Sequence, residues 1–210
     1  MINELIVRKN HLTTIPETMN CREAVAILEE KDLRLAPVLD ASNTLFRGNI
    51  YRYHIYQYLY HHPDADLSNI PVTRFLKNTT KIMRDTDSMY SLFFAMSDLP
   101  YIAVLNEQNT FLGIIRHSTM TDFFAKAWSM ENAGYVIEIK TIGKKGELAK
   151  ASRIINRHSD ISASMTLERT DYNTHASILF VLPNNIDQMQ LNALKRDFSR
   201  RNYPINCFKL

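Results

Sequence analysis

Residues 36–59, APVLDASNTLFRGNIYRYHIYQYL, and residues 101–124, YIAVLNEQNTFLGIIRHSTMTDFF, follow one pattern. Each opens with a short apolar, β-branched strand (PVL or AVL). An Asp or Asn comes next, then a polar turn containing Asn-Thr, an apolar pair and a glycine (Gly48, Gly113). Each closes on a segment ending in aromatics, and the first copy has one extra residue in its turn. A repeat at this spacing decides the reading of the whole chain, because each copy is one supersecondary unit that must bury its apolar face against another.

The flanking segments repeat as well. TTIPETMNCREAVAIL (13–28) parallels TKIMRDTDSMYSLFFAM (80–96). Each reads as a short strand, a polar turn suited to capping and a helix. Ala24, Ile27 and Leu28, and likewise Leu92, Ala95 and Met96, stand at i, i+3, i+4 and give each helix one apolar face. Thr18 and Asn20, and the run from Asp85 to Ser88, offer N-caps. The unit is strand, helix, strand, tight turn, strand, helix, present twice, with Pro63 and Pro71 punctuating the connection.

Half of the chain's ten tyrosines fall between residues 51 and 60. On the last helix of the first unit, Tyr53, Tyr56 and Tyr60 share a face at i, i+3, i+7. That predicts a packing face whose hydroxyls reach the surface or a partner chain. Base stacking is the competing reading. His61 and His62 diverge on a helix and His54 lies two turns away, roughly 10 Å by helix rise, so no metal site is expected.

Composition closes several routes. No apolar run approaches the roughly 18 residues needed to span a bilayer, so no membrane insertion is expected. The start lacks the basic-apolar-small order of a signal peptide. Two cysteines, Cys21 and Cys207, without Cys-x-x-Cys spacing suggest neither a disulfide framework nor a zinc site, and a cytoplasmic setting. A net charge of +3 does not by itself imply a polyanion partner. With five glycines, the chain has no phosphate loop, no dinucleotide fingerprint and no nucleophile elbow. No nucleophile, acid–base pair or metal set with supporting context is present, so an enzyme is not expected.

From Gly134 the pattern restarts. GYVIEIKTIG alternates as a strand. KKGELAKASRIINRH reads as a helix with Leu148, Ala151 and Ile155 on one face. SASMTLERTD and HASILFVLP are strands joined by a turn at DYNT (171–174). NIDQMQLNALKRDFSRRN is a second helix with Leu191, Leu194 and Phe198 on one face, and PINCFKL a last strand. The order βαββαβ is ferredoxin-like. Lys195, Arg196, Arg200 and Arg201 cluster at the end of the second helix. There they complement its dipole, and a nucleic-acid partner is not expected.

Residues 1–128 resemble a tandem pair of cystathionine-β-synthase (CBS) domains, a Bateman module. The blocks carrying the resemblance are PVL-D…G and AVL-N…G with their preceding helices. The region after Gly134 resembles an ACT domain, and the whole is similar to the acetoin-utilisation regulatory protein family. The implied fold is α+β: two CBS units packed through their sheets as a Bateman module, then a ferredoxin-like βαββαβ ACT domain. The implied boundaries are 1–66, 67–130 and 134–210.

The resemblance also implies a ligand: an adenine nucleotide in the cleft between CBS units. The family's ribose signature is Gly, two apolar residues, Ser or Thr, two residues, then Asp. Here Tyr51 and His54 replace the hydroxyl and the Asp in the first copy, and Arg116 and Thr119 replace them in the second. Basic residues after the second glycine, Arg116 and His117, resemble the pattern of small CBS proteins that bind cyclic di-AMP. Cyclic di-AMP is therefore favoured over AMP, ADP or ATP, and no other cofactor is expected. By position, the implied contacts are Thr13, Thr14 and Ile15; Arg34, Leu35 and Ala36; and Arg116, His117 and Thr119. In the ACT-like part, Gly146-Glu147-Leu148 fits the family's Gly-x-Leu loop, with Lys144 and Lys145 where an acidic residue is common. The expected protein is a non-catalytic, homodimeric bacterial regulator signalling to an unidentified protein target. The competing readings are a ligand-free assembly protein, an AMP/ATP sensor and a nucleic-acid-binding regulator.

Overall fold

The computed structural model describes residues 2–96, 98–142, 144–167 and 176–210. The chain divides into two compact units, Met1–Met120 and Thr121–Leu210.

The first unit begins with α1 (Ile2–Leu5) and β1 (Val7–Arg8). The first repeat copy follows as β2 (Ile15–Pro16), α2 (Cys21–Glu30), β3 (Leu35–Leu39), β4 (Phe46–Tyr51) and α3 (Arg52–His61). The second copy is β5 (Ile82–Arg84), α4 (Met89–Ala95), β6 (Tyr101–Leu105), β7 (Phe111–Arg116) and the start of α5 (His117–Ala127). Two of the caps expected from sequence close their helices. Asn20 accepts from the Glu23 amide at 3.0 Å while Glu23 reaches back to the Asn20 amide, a capping box. Ser88 accepts from the Ser91 amide at 3.0 Å.

The sheets are ordered β2-β3-β4 and β1-β7-β6-β5. In each copy the first strand pairs parallel with the second, as the right-handed strand-helix-strand connection requires, and the hairpin pairs antiparallel. The chain's opening strand does not join the first copy. It pairs with β7, setting Arg8 opposite Gly113. A Cβ on Gly113 would stand 2.1 Å from the Val7 carbonyl oxygen, and its φ of +153° is one that side chains disfavour. The repeated glycine is thus where another backbone segment presses on the sheet. Gly48 does the same for the connection: the Asn49 amide donates to the Lys77 carbonyl at 2.8 Å, and the bond is returned at 2.9 Å.

The two copies meet through their sheets. Leu39 of the first packs with Tyr101, Ala103, Leu105, Phe111 and Ile114 of the second, and Phe46 stacks on Phe111 with ring centroids 5.7 Å apart. The Phe111 amide donates to the Thr44 carbonyl at 2.8 Å. The Tyr101 hydroxyl donates to buried Asn49 at 2.7 Å.

The tyrosine face needs correcting. Tyr53, Tyr56 and Tyr60 point outward and are exposed, Tyr60 by 82%. The inward side of α3 is Ile55, fully buried, with Tyr58 beside it. Tyr58 holds the connection between copies: Phe75 lies edge-on at 5.3 Å and the Arg74 guanidinium sits over its ring at 4.6 Å. One buried isoleucine outweighs three amphipathic rings that can leave their hydroxyls in water.

The second unit contains β8 (Ala133–Thr141), α6 (Glu147–Ile155), β9 (Ala163–Leu167), β10 (Ala176–Pro183), α7 (Gln188–Arg200) and β11 (Ile205–Lys209). Its antiparallel sheet is ordered β11-β8-β10-β9, the ferredoxin-like arrangement. The core joins Ile137, Ile139, Ile178, Phe180 and Leu182 of the sheet to Ala151, Ile154, Ile155, Leu191, Leu194 and Phe198 of the helices. Leu148, expected on the buried face of α6, is 43% exposed, and Ile154 takes its place. Leu148 is the second helical residue, too near the helix start to lie over the sheet. The expected turn at 171–174 lies outside the described residues, as does Gly143.

Candidate nucleotide cleft

The helix α2 ends in a left-handed residue, Asp32 (φ 49°), which turns the chain back into β3. This puts Arg34 and Leu35 at the strand's opening end. Leu35 pairs with Tyr51, the last residue of β4, and the Arg52 amide donates to the Arg34 carbonyl at 3.0 Å. Helix α3 starts directly from that strand end. An open cleft of about 740 Å3 forms there. Glu29, Asp32, Arg34, Leu35, Tyr51, Arg52, Tyr53 and Tyr56 line it. Pro100 of the second copy completes it.

Pro100 stands in the second copy where Arg34 stands in the first, because Leu35 pairs with Tyr51 just as Tyr101 pairs with Arg116. Both equivalent corners of the repeat therefore reach this cleft. The His117 amide donates to the Pro100 carbonyl at 3.0 Å, which anchors Arg116 and His117 to the same strand end.

The charges are mixed. Glu29 accepts from Arg52 Nη1 at 2.9 Å and from the Tyr56 hydroxyl. That hydrogen bond to a carboxylate pushes the Tyr56 phenol above its ordinary value. Burial does the same for Tyr51, whose hydroxyl donates to Asn78 at 2.8 Å. Tyr101 is raised well above its ordinary range, chiefly by burial and secondarily by Tyr51. His54, at the position of the ribose Asp, lies edge-on to Tyr51 and Tyr53 at 5.5 and 5.4 Å. Among the described residues, Arg34 and Arg116 have no ion pair and no side-chain hydrogen bond. The cleft thus offers phenol rings, one free guanidinium, one paired guanidinium and two carboxylates. That set can hold a planar heteroaromatic group and an anionic group together.

Of the residues expected from sequence, Arg34 and Leu35 line the cleft. Arg116 and His117 lie at the adjoining strand end, both exposed. Thr119 is half-buried on α5, and Thr13 and Thr14 are half-buried before β2, away from the cleft lining. The side chains of Ile15 and Ala36 are in the core of the first copy. The sequence reading missed Glu29, Asp32, Tyr51, Arg52, Tyr53, Tyr56 and Pro100. Extending the repeat alignment upstream, to set Asp32-Leu33-Arg34-Leu35 beside Asp98-Leu99-Pro100-Tyr101, would have found Pro100. Among the described residues, no group of three or more His, Cys, Asp or Glu is placed to hold a metal ion. Likewise, no described helix is long and apolar enough to cross a membrane.

A model of the CBS domain matches residues 3–61. No curated protein matches the chain. Among solved structures, CbpB of Listeria monocytogenes in complex with c-di-AMP is similar with a TM-score of 0.54 at 14% identity, over 61% of this chain and 98% of that one. A CBS domain pair/ACT domain protein of Thermotoga maritima gives 0.50 at 15% identity, over 60% and 97%. The CBS domain of a bacterial CNNM/CorC family Mg2+ transporter in complex with ATP gives 0.51 at 15%, over 58% and 84%. At such identities the likeness speaks for the fold. The repeated sheets, the paired copies and the matched segment agree: residues 3–61 match a CBS domain, and the fold is α+β, a Bateman module plus a ferredoxin-like unit.

Proposed function

We propose that the protein is a non-catalytic bacterial regulator, cytoplasmic and homodimeric, that binds an adenine nucleotide in the cleft beside Arg34 and signals its level to a partner protein. Cyclic di-AMP is the first candidate and AMP, ADP or ATP the next. The observation that carries this reading is the free Arg34 guanidinium in a tyrosine-walled cleft that both copies of a CBS repeat help to form. The nucleotides held by the CBS-fold proteins from Listeria and the CNNM/CorC family support the ligand class. Arg116 and His117 extend the cationic side toward the second copy's strand end. The phosphate contacts fall to Arg34 in the cleft and Arg116 at the adjoining strand end, and Leu35 borders the ligand. In functional terms the domains are 1–66, 67–130 and an ACT-like 134–210. A nucleotide acts by its different affinity for two arrangements of the protein, which the partner reads.

Calorimetry with cyclic di-AMP, AMP and ATP tests the reading. A charge-assisted contact to phosphate is worth roughly 1.5–3 kcal/mol, so Arg34→Ala and Arg116→Ala should each weaken cyclic di-AMP binding about tenfold to a hundredfold. Thr119→Asp should weaken cyclic di-AMP further through like charge and favour AMP, whose ribose diol is free. If the parent binds no nucleotide at millimolar concentration, the second reading stands: a ligand-free assembly protein. The loss of the ribose Asp from both glycine motifs favours that second reading.

A further inference from the structure

The sheet of the second unit has one face under its helices and one face away from them. Ile137, Ile178 and Phe180 turn to the helices. Side chains alternate along a strand, so Val136, Leu179 and Val181 turn to the other face. Register sets them in two rows: Val136, Val181 and Ala163 across three strands, then Leu179 beside Met165. These five residues line a cavity of about 170 Å3. Trp128 and Met130, from the connection after α5, and Leu210, which follows β11, complete it. Among the described residues, Ser164 is the one polar member of the lining, and no charged residue takes part.

Backbone contacts hold the pieces together. The Asn184 amide donates to the Asn132 carbonyl at 2.9 Å, and the Leu210 amide to the Gly134 carbonyl at 3.2 Å. A Cβ on Gly134 would stand 2.7 Å from the Asn184 Cα, so the two segments touch. Between Trp128 and Met130 stands Ser129 in a left-handed conformation (φ 53°), which is uncommon for serine and persists where its surroundings fix it. Along β8 the apolar character ends at Glu138, which accepts from Asn206 at 2.7 Å and from Ser177 at 3.1 Å. The loop with Gly146 leaves the far end of β8, after Thr141, so the cavity is not the Gly-x-Leu position.

We propose that this cavity binds a small, neutral aromatic molecule of a single ring. The cavity lies wholly within the second unit, so the inference goes beyond the nucleotide reading and does not depend on it. Its size fits the class, since an apolar cavity of about 150 Å3 takes one benzene ring. Water needs two or more polar partners, and the lining offers a single side-chain hydroxyl, so water there is weakly held and an apolar group that displaces it gains affinity. The side chains prefer a ring to an aliphatic group of equal size. Trp128 offers an indole for edge or offset stacking, and Met130 and Met165 offer thioether sulfurs to ring edges. Charge is excluded on the same grounds. A free amino acid would bring an ammonium and a carboxylate to a lining with no counter-charge, and both would lose water without replacement.

Trp128 is the chain's only tryptophan, so its fluorescence, excited to the red of tyrosine absorption, reports on this cavity alone. Toluene titrated into the whole chain should move the emission to shorter wavelength and saturate. Methylcyclohexane should bind more weakly, and phenylalanine should give no response. Ala163→Phe puts a ring of the protein's own into the space and should weaken toluene binding about tenfold or more, which is 1.4 kcal/mol or more. Should that variant misfold by circular dichroism, the parent decides: toluene should shift the Met130 and Met165 methyl resonances with the same saturation as the fluorescence. A response that grows linearly with toluene, without saturation, is partition into an apolar surface and overturns the site. Equal binding of toluene and methylcyclohexane overturns the aromatic class. Emission that follows protein concentration and ignores toluene means that a second copy covers this face, and the proposal falls.

Discussion

At the residue scale, the joint between the repeat copies turns on one buried pair. The Tyr101 hydroxyl donates to Asn49 where only 2% of Asn49 is exposed. Tyr101→Phe leaves that amide oxygen without its donor, and an unmade buried bond costs about 1–3 kcal/mol. Denaturant titration should show the midpoint falling with little change in slope; an unchanged midpoint would mean water takes the hydroxyl's place. Cys21 makes a second residue-scale prediction. Burial pushes its thiol up to about 11, against the pull of Arg74. The folded value lies above the unfolded one of about 8.5, so the fold favours the protonated thiol. Its contribution is complete below pH of about 8.5 and declines as pH rises toward 11. Stability measured across that range should fall, and fall less steeply in Cys21→Ala. Equal slopes for the two proteins between about pH 8.5 and 10 would remove Cys21 as the cause.

At the element scale, the repeated glycines tell strands where another backbone can approach. Gly113 admits β1, which carries Val7 into the sheet of the second copy. Gly113→Ala sets a methyl group 2.1 Å from the Val7 carbonyl, which cannot yield without breaking the β1–β7 ladder. The expected outcome is release of β1, seen as rapid exchange of amides in residues 6–8 and a loss of several kcal/mol, in the range of severe backbone substitutions. If those amides stay protected, β1 has shifted along β7 rather than detached. The helices are more tolerant, since α2 and α7 carry reciprocal capping boxes, Asn20 with Glu23 and Asp187 with Gln190. In the second unit, Asp197 of α7 gathers His158 at 3.0 Å and Arg201 at 3.1 Å, tying the end of α6 to α7. The hydrogen bond from His158, then that from Arg201, holds its carboxyl below the ordinary value.

At the scale of the whole molecule, the proposed homodimer links stability to concentration. A folded dimer in equilibrium with unfolded chains gains stability by mass action. The melting temperature should rise as the protein is concentrated. A melting temperature independent of concentration would assign the exposed aromatics of α4, Tyr90, Phe93 and Phe94, to roles other than self-association.

Local spacing along the chain carries the order of elements, the doubling of the first unit and the capping by Asn20 and Ser88. Each of these is written in local spacing: period two in strands, i, i+3, i+4 in helices, and a repeat laid over itself. It also placed Arg34 and Leu35 correctly at a strand's opening end. Tertiary structure alone decided that Val7–Arg8 belongs to the second sheet, that Tyr58 and not Tyr53 faces inward, and that Glu29 receives Arg52 and Tyr56. It alone brought Pro100 into the cleft that Arg34 lines. Those pairings join residues more than fifteen positions apart. Their energy comes from burial and register across packed sheets, and no local periodicity carries a trace of which distant partner will be met.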